Sequence, residues 1–345
     1  MGKDFKREAT AVEIAAMGKL LAADMAAGSI GLSTGLEYDP GIYSSHAEVI
    51  ALAGEVAAQG GRYISHIRSE DRDQWAAIDE LIEIGRVTHM PVQLSHIKIG
   101  LVDAWGQAHR FIAKLDAARK QGIEVSADIY PYEYWQSTLT VMFPERNFTD
   151  RAAADYALKS LAPPEGLRLS TFRPDPSLVG KTVAEVAAMR GKDASTTLME
   201  LIAEAPEPFA DESVIGTSMA ARDVAALMKW DQTNICSDGQ MTDRHPRGAG
   251  SFARILRKYV REDKLLTLEQ AIHKMSGLAA AHMGIADRGV IRPGTHADLV
   301  LFDPATIADR ATIESPSALA VGVDRVWVNG SLIYANGRAT GARPG

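Results

Sequence analysis

Two histidines and one aspartate carry the strongest chemical signal in the sequence: His66 in Ile-Ser-His-Ile-Arg-Ser-Glu, His96 in Leu-Ser-His-Ile-Lys and Asp238 in Cys-Ser-Asp-Gly. Each closes a short apolar run that reads as a strand, so all three side chains are expected at one rim of a parallel sheet, where the sites of such folds are built. Two imidazoles and a carboxylate form an N,N,O donor set that suits zinc and leaves a position open for water. A lone histidine at a strand end is more often a hydrogen-bonded core residue. Three candidate ligands at matching strand ends reverse that weighting. Arg68 and Lys98 each follow a candidate ligand by two residues, and each either pairs with an acid such as Glu70 or binds a substrate carboxylate. Tyr38, in the loop after the first strand, is a third candidate contact.

Other reactive side chains carry blander readings. His46 falls at a helix N-terminus, His89 precedes a strand, His109, His273 and His282 lie in helical stretches, and His296 sits in a turn. His245, in His-Pro-Arg, either reaches the rim or caps a helix. Cys236 shares strand parity with Asp238, but a buried apolar thiol is the commoner state, and it is not assigned as a ligand. Asp128, Tyr130 and Tyr132 lie at the rim and either touch substrate or pack. Gly28, Gly31 and Gly35 do not make a phosphate loop, because a Pro-containing loop follows rather than a helix.

The elements that position these residues repeat. Thr10 and Glu13 form a capping box that opens a helix ended by Gly28, and Ser45 with Glu48 opens another that closes at Gly60-Gly61. Strands are expected at 30–34, 63–66, 92–96 and 125–128, with helices at 73–84 and 105–120. The strand ends at Ser33, His66, His96 and Asp128 are 33, 30 and 32 residues apart, close to the ~31 expected when eight βα units share about 250 residues. From Ser137 to about Trp230 the rhythm breaks into an Ala-, Pro- and Glu-rich stretch that predicts an inserted subdomain. A fifth strand at 233–236 delivers Asp238, and helices are expected near 252–261 and 268–275. From Gly289 the texture changes to short β segments, with Asn329-Gly330 marking a hairpin. The sequence thus predicts an α/β protein with a partial TIM-like barrel over residues 1–288, an insertion near 137–230 and a small C-terminal β-sandwich over 289–345. An open five-stranded parallel sheet would leave two edges. The expectation is a homo-oligomer or a complementing N-terminal segment, or else a truncated product.

Composition sets outer bounds. With 345 residues, 46% hydrophobic and 23% charged, the chain can bury a sizeable core. The net charge of −7 is spread among mixed acids and bases, which excludes a nucleic-acid footprint. No apolar run is long enough to cross a bilayer. A single cysteine and a charged, unsignal-like stretch at 1–10 point to the cytoplasm.

Gly-Leu-Ser-Thr-Gly-Leu-Glu-Tyr-Asp-Pro-Gly (31–41), Ser-His-Ile-Arg-Ser-Glu (65–70), Leu-Ser-His-Ile-Lys (94–98), Ser-Asp-Gly (237–239), His-Pro-Arg (245–247) and the Gly-Thr-His-Ala-Asp-Leu-Val-Leu-Phe-Asp-Pro tail together resemble the N-acyl-D-amino-acid deacylases, the D-aminoacylase branch of the amidohydrolase superfamily. The resemblance covers nearly the whole chain in order. It implies a (β/α)8 barrel with a small β-sandwich and hydrolysis of N-acyl-D-amino acids to a carboxylate and a free D-amino acid. It implies that His66 and His96 bind zinc, that Asp238 is the catalytic aspartate and also approaches the metal, and that Lys98 and Tyr38 contact the substrate carboxylate. In that mechanism the metal lowers the pKa of bound water and polarises the amide, while Asp238 carries the proton to the leaving amine. The family's first strand bears a His-x-His pair and its second a cysteine ligand, whereas this sequence contains no His-x-His. Two alternatives stand beside this reading: an inactive fragment acting as a binding or assembly module, and a cyclic amidase of the hydantoinase or dihydropyrimidinase kind.

Overall fold

The computed structural model of the protein describes every residue except Met1, Met241 and Asp243. It comprises two compact units, residues 1–126 with 132–227, and residues 127–131 with 228–345.

In the first unit, α1 (Ala11–Ala26) opens at the Thr10–Glu13 capping box, in which both reciprocal hydrogen bonds form. α2 (His46–Ala57) starts at Ser45, whose hydroxyl accepts the Glu48 N–H. Three parallel strands follow one another through these helices: β1 (Gly31–Gly35), β2 (Arg62–His66) and β3 (Val92–Leu94), with Leu32 opposite Tyr63 and Tyr63 opposite Val92. Gly31 is required at the first pairing, because a Cβ there would lie 2.1 Å from the Arg62 carbonyl oxygen. α3 (Gln74–Thr88) runs past the expected Ile84 and stops where His89 turns left-handed. α4 (Ala108–Lys120) starts later than expected, because Gly106 turns the chain and Asp223 accepts the Gly106 and Ala108 N–H groups at 2.6 and 3.3 Å. That carboxylate caps α4 from far away in sequence. β4 (Val125–Ile129) begins here, and its approach is marked by the Val92 N–H to Glu124 carbonyl bond.

The insertion forms its own layer within this unit. Strands β5 (Tyr134–Ser137), β6 (Leu167–Phe172) and β7 (Glu212–Thr217) make an antiparallel sheet of order β5-β7-β6. Helices α5 (Arg151–Ser160), α6 (Val183–Arg190) and α7 (Ala194–Glu204) accompany it, and Leu139, Phe143, Leu169, Phe172, Leu198 and Val214 are buried together. α8 (Ala221–Lys229) leads out.

In the second unit, β4 pairs in parallel with β8 (Thr233–Ile235), Ala127 opposite Thr233, which completes a five-stranded sheet of order β1-β2-β3-β4-β8. The expected parallel α/β architecture is therefore present. The next helix starts earlier than the sequence suggested: α9 (Arg247–Arg254) continues into a π-helical stretch, Ile255–Glu262. α10 (Leu268–Met275) matches its expected bounds and α11 (Gly277–His282) follows. Lys274 of α10 donates to the Trp230 and Thr233 carbonyls at 2.6 and 3.0 Å, fixing the start of β8; burial pulls its pKa down to about 8. The C-terminal segment forms the expected separate β region, an antiparallel sheet of four strands, β9 (Leu299–Phe302), β10 (Val323–Val328), β11 (Ser331–Ala335) and β12 (Arg338–Ala339). Its β10–β11 turn is Asn329-Gly330, both at positive φ as a tight hairpin requires. Among the described residues no helix is long and apolar enough to cross a membrane.

Candidate metal centre

His66 is the last residue of β2, opposite Gly35 of β1, and its ring is buried. His96 lies two residues beyond β3, where the Ser95 N–H still reaches the Ser65 carbonyl before the backbone turns to φ +40°. That turn swings the His96 ring onto His66, with ring centroids 4.6 Å apart and planes at 65°. His66 Nδ1 and His96 Nε2 face one another at 2.9 Å.

The outer nitrogens are held as well. His66 Nε2 lies 2.7 Å from the Glu37 carboxylate. His96 Nδ1 lies 3.2 Å from the Glu70 carboxylate and 2.6 Å from Lys98 Nζ. One proton arrangement fits these distances: the Lys98 ammonium donates to His96 Nδ1, His96 Nε2–H donates to His66 Nδ1, and His66 Nε2–H donates to Glu37. A cation held by His66 Nδ1 and His96 Nε2 would need the His96 proton on Nδ1, donated to Glu70, with the Lys98 ammonium turned off that nitrogen. Moving that proton and turning Lys98 therefore converts a hydrogen-bonded pair into a two-nitrogen claw. Carboxylates behind both imidazoles are the arrangement that fixes tautomer and raises ligand basicity in metal sites.

Donor atoms of His66, Glu70 and His96 lie within 4.8 Å of one another, and the set fits a divalent cation that takes nitrogen and oxygen. Glu70 also accepts from Lys98 Nζ at 2.5 and 2.7 Å. Burial pushes the Glu70 carboxyl up, but the Lys98 ammonium and the two imidazoles outweigh it and hold the group well below the usual carboxylate range. The acid therefore stays ionised among three nitrogen bases. Glu37 is placed by the loop after β1: its second oxygen accepts the Glu70 N–H at 3.2 Å, and its own carbonyl accepts from Arg146 of the insertion.

The remaining sequence candidates divide. Lys98 is buried against His96 and Glu70. Tyr38 is also at the centre, through its ring, which lies 4.5 Å from that of His66. Arg68 turns away: its guanidinium donates to both Glu80 oxygens at 2.8 and 2.7 Å and to the Ser44 carbonyl at 2.9 Å, and the bond to Glu80 raises its pKa further. It is the paired outcome, with Glu80 rather than Glu70 as the acid. Asp238 belongs to the second unit, where it takes a left-handed φ of +47° after β8 and pairs with Arg247 at 2.5 Å. Arg247 stacks on the Tyr130 ring at 4.9 Å, and its N–H donates to His245 Nδ1 at 3.0 Å, so His245 supports the start of α9. Cys236 is a free thiol whose pKa is raised by burial and by the neighbouring Asp128. Sequence reading passed over Glu37 and treated Glu70 only as a possible ion-pair partner. The one local signal was Glu70 four residues after His66.

A profile of the amidohydrolase family matches residues 6–334. The chain is 37% identical over 334 residues to the N-acyl-D-glutamate deacylase of Alcaligenes xylosoxydans xylosoxydans, covering 96% of this chain and 63% of that protein. It is 36% identical to the D-aminoacylase of the same organism, covering 99% and 66%. The solved structure of N-acyl-D-glutamate deacylase from Bordetella bronchiseptica, complexed with zinc and a phosphonate mimic of the tetrahedral intermediate, superposes with a TM-score of 0.85 at 36% identity over 98% of this chain and 66% of that one. The chain thus spans just under two thirds of the length of these relatives. On the matched family profile and the shared fold, the chain belongs to the amidohydrolase family.

Proposed function

We propose that the chain takes part in zinc-dependent hydrolysis of linear N-acyl-D-amino acids to a carboxylate and a free D-amino acid. The observation that carries this is the pair of facing nitrogens, His66 Nδ1 and His96 Nε2 at 2.9 Å, each ring backed by a carboxylate. The deacylase relatives support the choice of a linear amide over a cyclic one.

His66 and His96 would hold the zinc, and the chemistry supplied there is Lewis acidity, which polarises the amide carbonyl and acidifies a water. Glu37 and Glu70 orient both imidazoles. Lys98 offers the charge for the substrate carboxylate, in exchange for part of its contact with Glu70. Asp238 is assigned proton transfer on its Ser-Asp-Gly motif: as the water oxygen bonds to the acyl carbon, Asp238 takes the proton, and it returns that proton to the amine nitrogen as the C–N bond breaks. Arg68 receives no substrate role, since Glu80 and the loop carbonyl occupy it. The lone, half-buried Cys236 supports a reducing compartment, the cytoplasm.

The test pairs calorimetric zinc titration with an assay for free D-amino acid from N-acetyl-D-glutamate. Zinc binding that disappears in both His66→Ala and His96→Ala, together with turnover that needs zinc, is the expected result. Zinc binding that survives the double substitution would sink the assignment.

A further inference from the structure

In the second unit, near the N-terminal end of β8 and so away from the end that leads to Asp238, lies a cavity of about 520 Å³, within the ~300–1,000 Å³ typical of small-molecule sites. Lys274 of α10 lines it from a buried position, only 6% exposed. Lys229, Asp231, Gln270 and His273 form an exposed polar rim. Leu265, Leu266 and Leu278, wholly or partly buried, make an apolar wall, and Gln232 completes the lining. None of these residues belongs to the metal centre.

Lys274 braces the start of β8 through the Trp230 and Thr233 carbonyls at 2.6 and 3.0 Å. An ammonium carries three N–H donors, so one remains for the cavity that the side chain lines. Its charge is also poorly answered. Both partners are neutral carbonyls, and Asp231 favours the charge without outweighing the cost of burial, which pulls the pKa down to about 8. A bound anion supplies the missing counter-charge and the missing acceptor together. Two lysines against one aspartate leave a single positive charge for it, which selects a monoanion. Three leucines on the wall favour an anion with a short hydrocarbon tail over a fully hydrated one such as phosphate. We propose that this cavity is a binding site for a small aliphatic monocarboxylate, with its carboxylate on Lys274 and Lys229 and its tail on Leu265, Leu266 and Leu278. The proposal stands whether or not the chain is a deacylase.

The test titrates butyrate, inorganic phosphate and butanol into the full chain by calorimetry, with zinc withheld by a chelator. Butyrate is expected to bind saturably, about tenfold or more tightly than its neutral analogue butanol, since a charge-assisted hydrogen bond contributes on that order. It should also bind more tightly than phosphate. Lys274→Met should abolish butyrate binding. Lys229→Gln, at an exposed position where folding is not at risk, should weaken it about two- to fivefold. Lys98→Met should leave it intact; Lys98 is the other buried lysine that could take a carboxylate. The proposal is overturned by an absence of saturable butyrate binding, by butanol or phosphate binding as tightly as butyrate, or by affinity that is unchanged in Lys229→Gln or in folded Lys274→Met. Binding lost in Lys98→Met also overturns it, since the carboxylate then belongs to the metal centre.

Discussion

Glu212 is the clearest place to test the energetics of the insertion. It is completely buried on β7, and both of its oxygens accept from a single donor, the Leu139 N–H, at 3.0 Å. Burial lifts its carboxyl from the ordinary 4.5 to about 7, and the Leu139 N–H only partly opposes this. The folded protein therefore keeps a proton that the unfolded chain gives up near pH 4.5. The stabilising contribution is complete below that pH, declines as pH rises toward 7, and is gone above it. A carboxyl raised from 4.5 to about 7 corresponds to roughly 3 kcal/mol of lost stability by pH 8. Glu212→Gln cannot ionise. Its amide oxygen keeps the Leu139 contact, while its new N–H groups need partners that a carboxylic acid does not, at a cost of about 1–2 kcal/mol. Near pH 4.5 the variant should thus be slightly less stable than the parent, and at pH 8 more stable by about 1–2 kcal/mol, with the curves crossing between. Urea unfolding of both proteins at pH 4.5, 6, 7 and 8 reads this directly. A difference between them that stays constant with pH would refute the assignment of a buried, neutral Glu212.

Two further outcomes follow from the geometry. Glu37→Gln removes the charge behind His66 Nε2 but preserves an acceptor at the 2.7 Å contact, so zinc affinity should drop about 10- to 100-fold in calorimetric titration with the urea midpoint unchanged. Gly216→Ala places a Cβ 2.2 Å from the Trp135 ring across the β5–β7 pairing and should cost about 1–3 kcal/mol in urea unfolding. Combining it with Trp135→Ala should recover part of that loss, as a double-mutant cycle for two touching groups requires.

Much of the fold was legible because its signals are local. Thr10 with Glu13 and Ser45 with Glu48 mark helix starts within one turn, and the βα spacing places His66 and His96 at strand ends. The start of α4 was not legible, since its cap is Asp223, a residue more than a hundred positions away in the chain. The π-helical run after Arg254 was equally hidden, because apolar spacing barely distinguishes it from an α-helix. The site shows the same division. Arg68 and Lys98 look equivalent in sequence, each two residues past a candidate ligand, and strand alternation would send both to one rim. Alternation ends with the strand, however. β2 stops at His66 and Arg68 swings to Glu80 on α3, whereas β3 stops at Leu94 and the left-handed turn at His96 carries Lys98 back to Glu70.

That difference bears on what makes the centre ready for a cation. Imidazoles at two strand ends would, on their own, be free to choose either tautomer and either rotamer. The choice is made by Glu37 and Glu70, which arrive from the loops after β1 and β2, and Glu37 is in turn held by Arg146 from the insertion. A segment that carries neither histidine thus fixes the loop that orients His66, while its Phe209 meets the neighbouring Tyr38 ring edge-on. Disturbing the insertion should therefore weaken zinc binding at a site it does not touch. Arg146→Ala tests this: the expected result is reduced zinc affinity, in the same direction as Glu37→Gln but smaller, because the Glu37 carboxylate remains and only its placement loosens. Unchanged zinc affinity in a folded Arg146→Ala protein would show that the β1 loop holds Glu37 without help, and the link from insertion to metal centre would be lost.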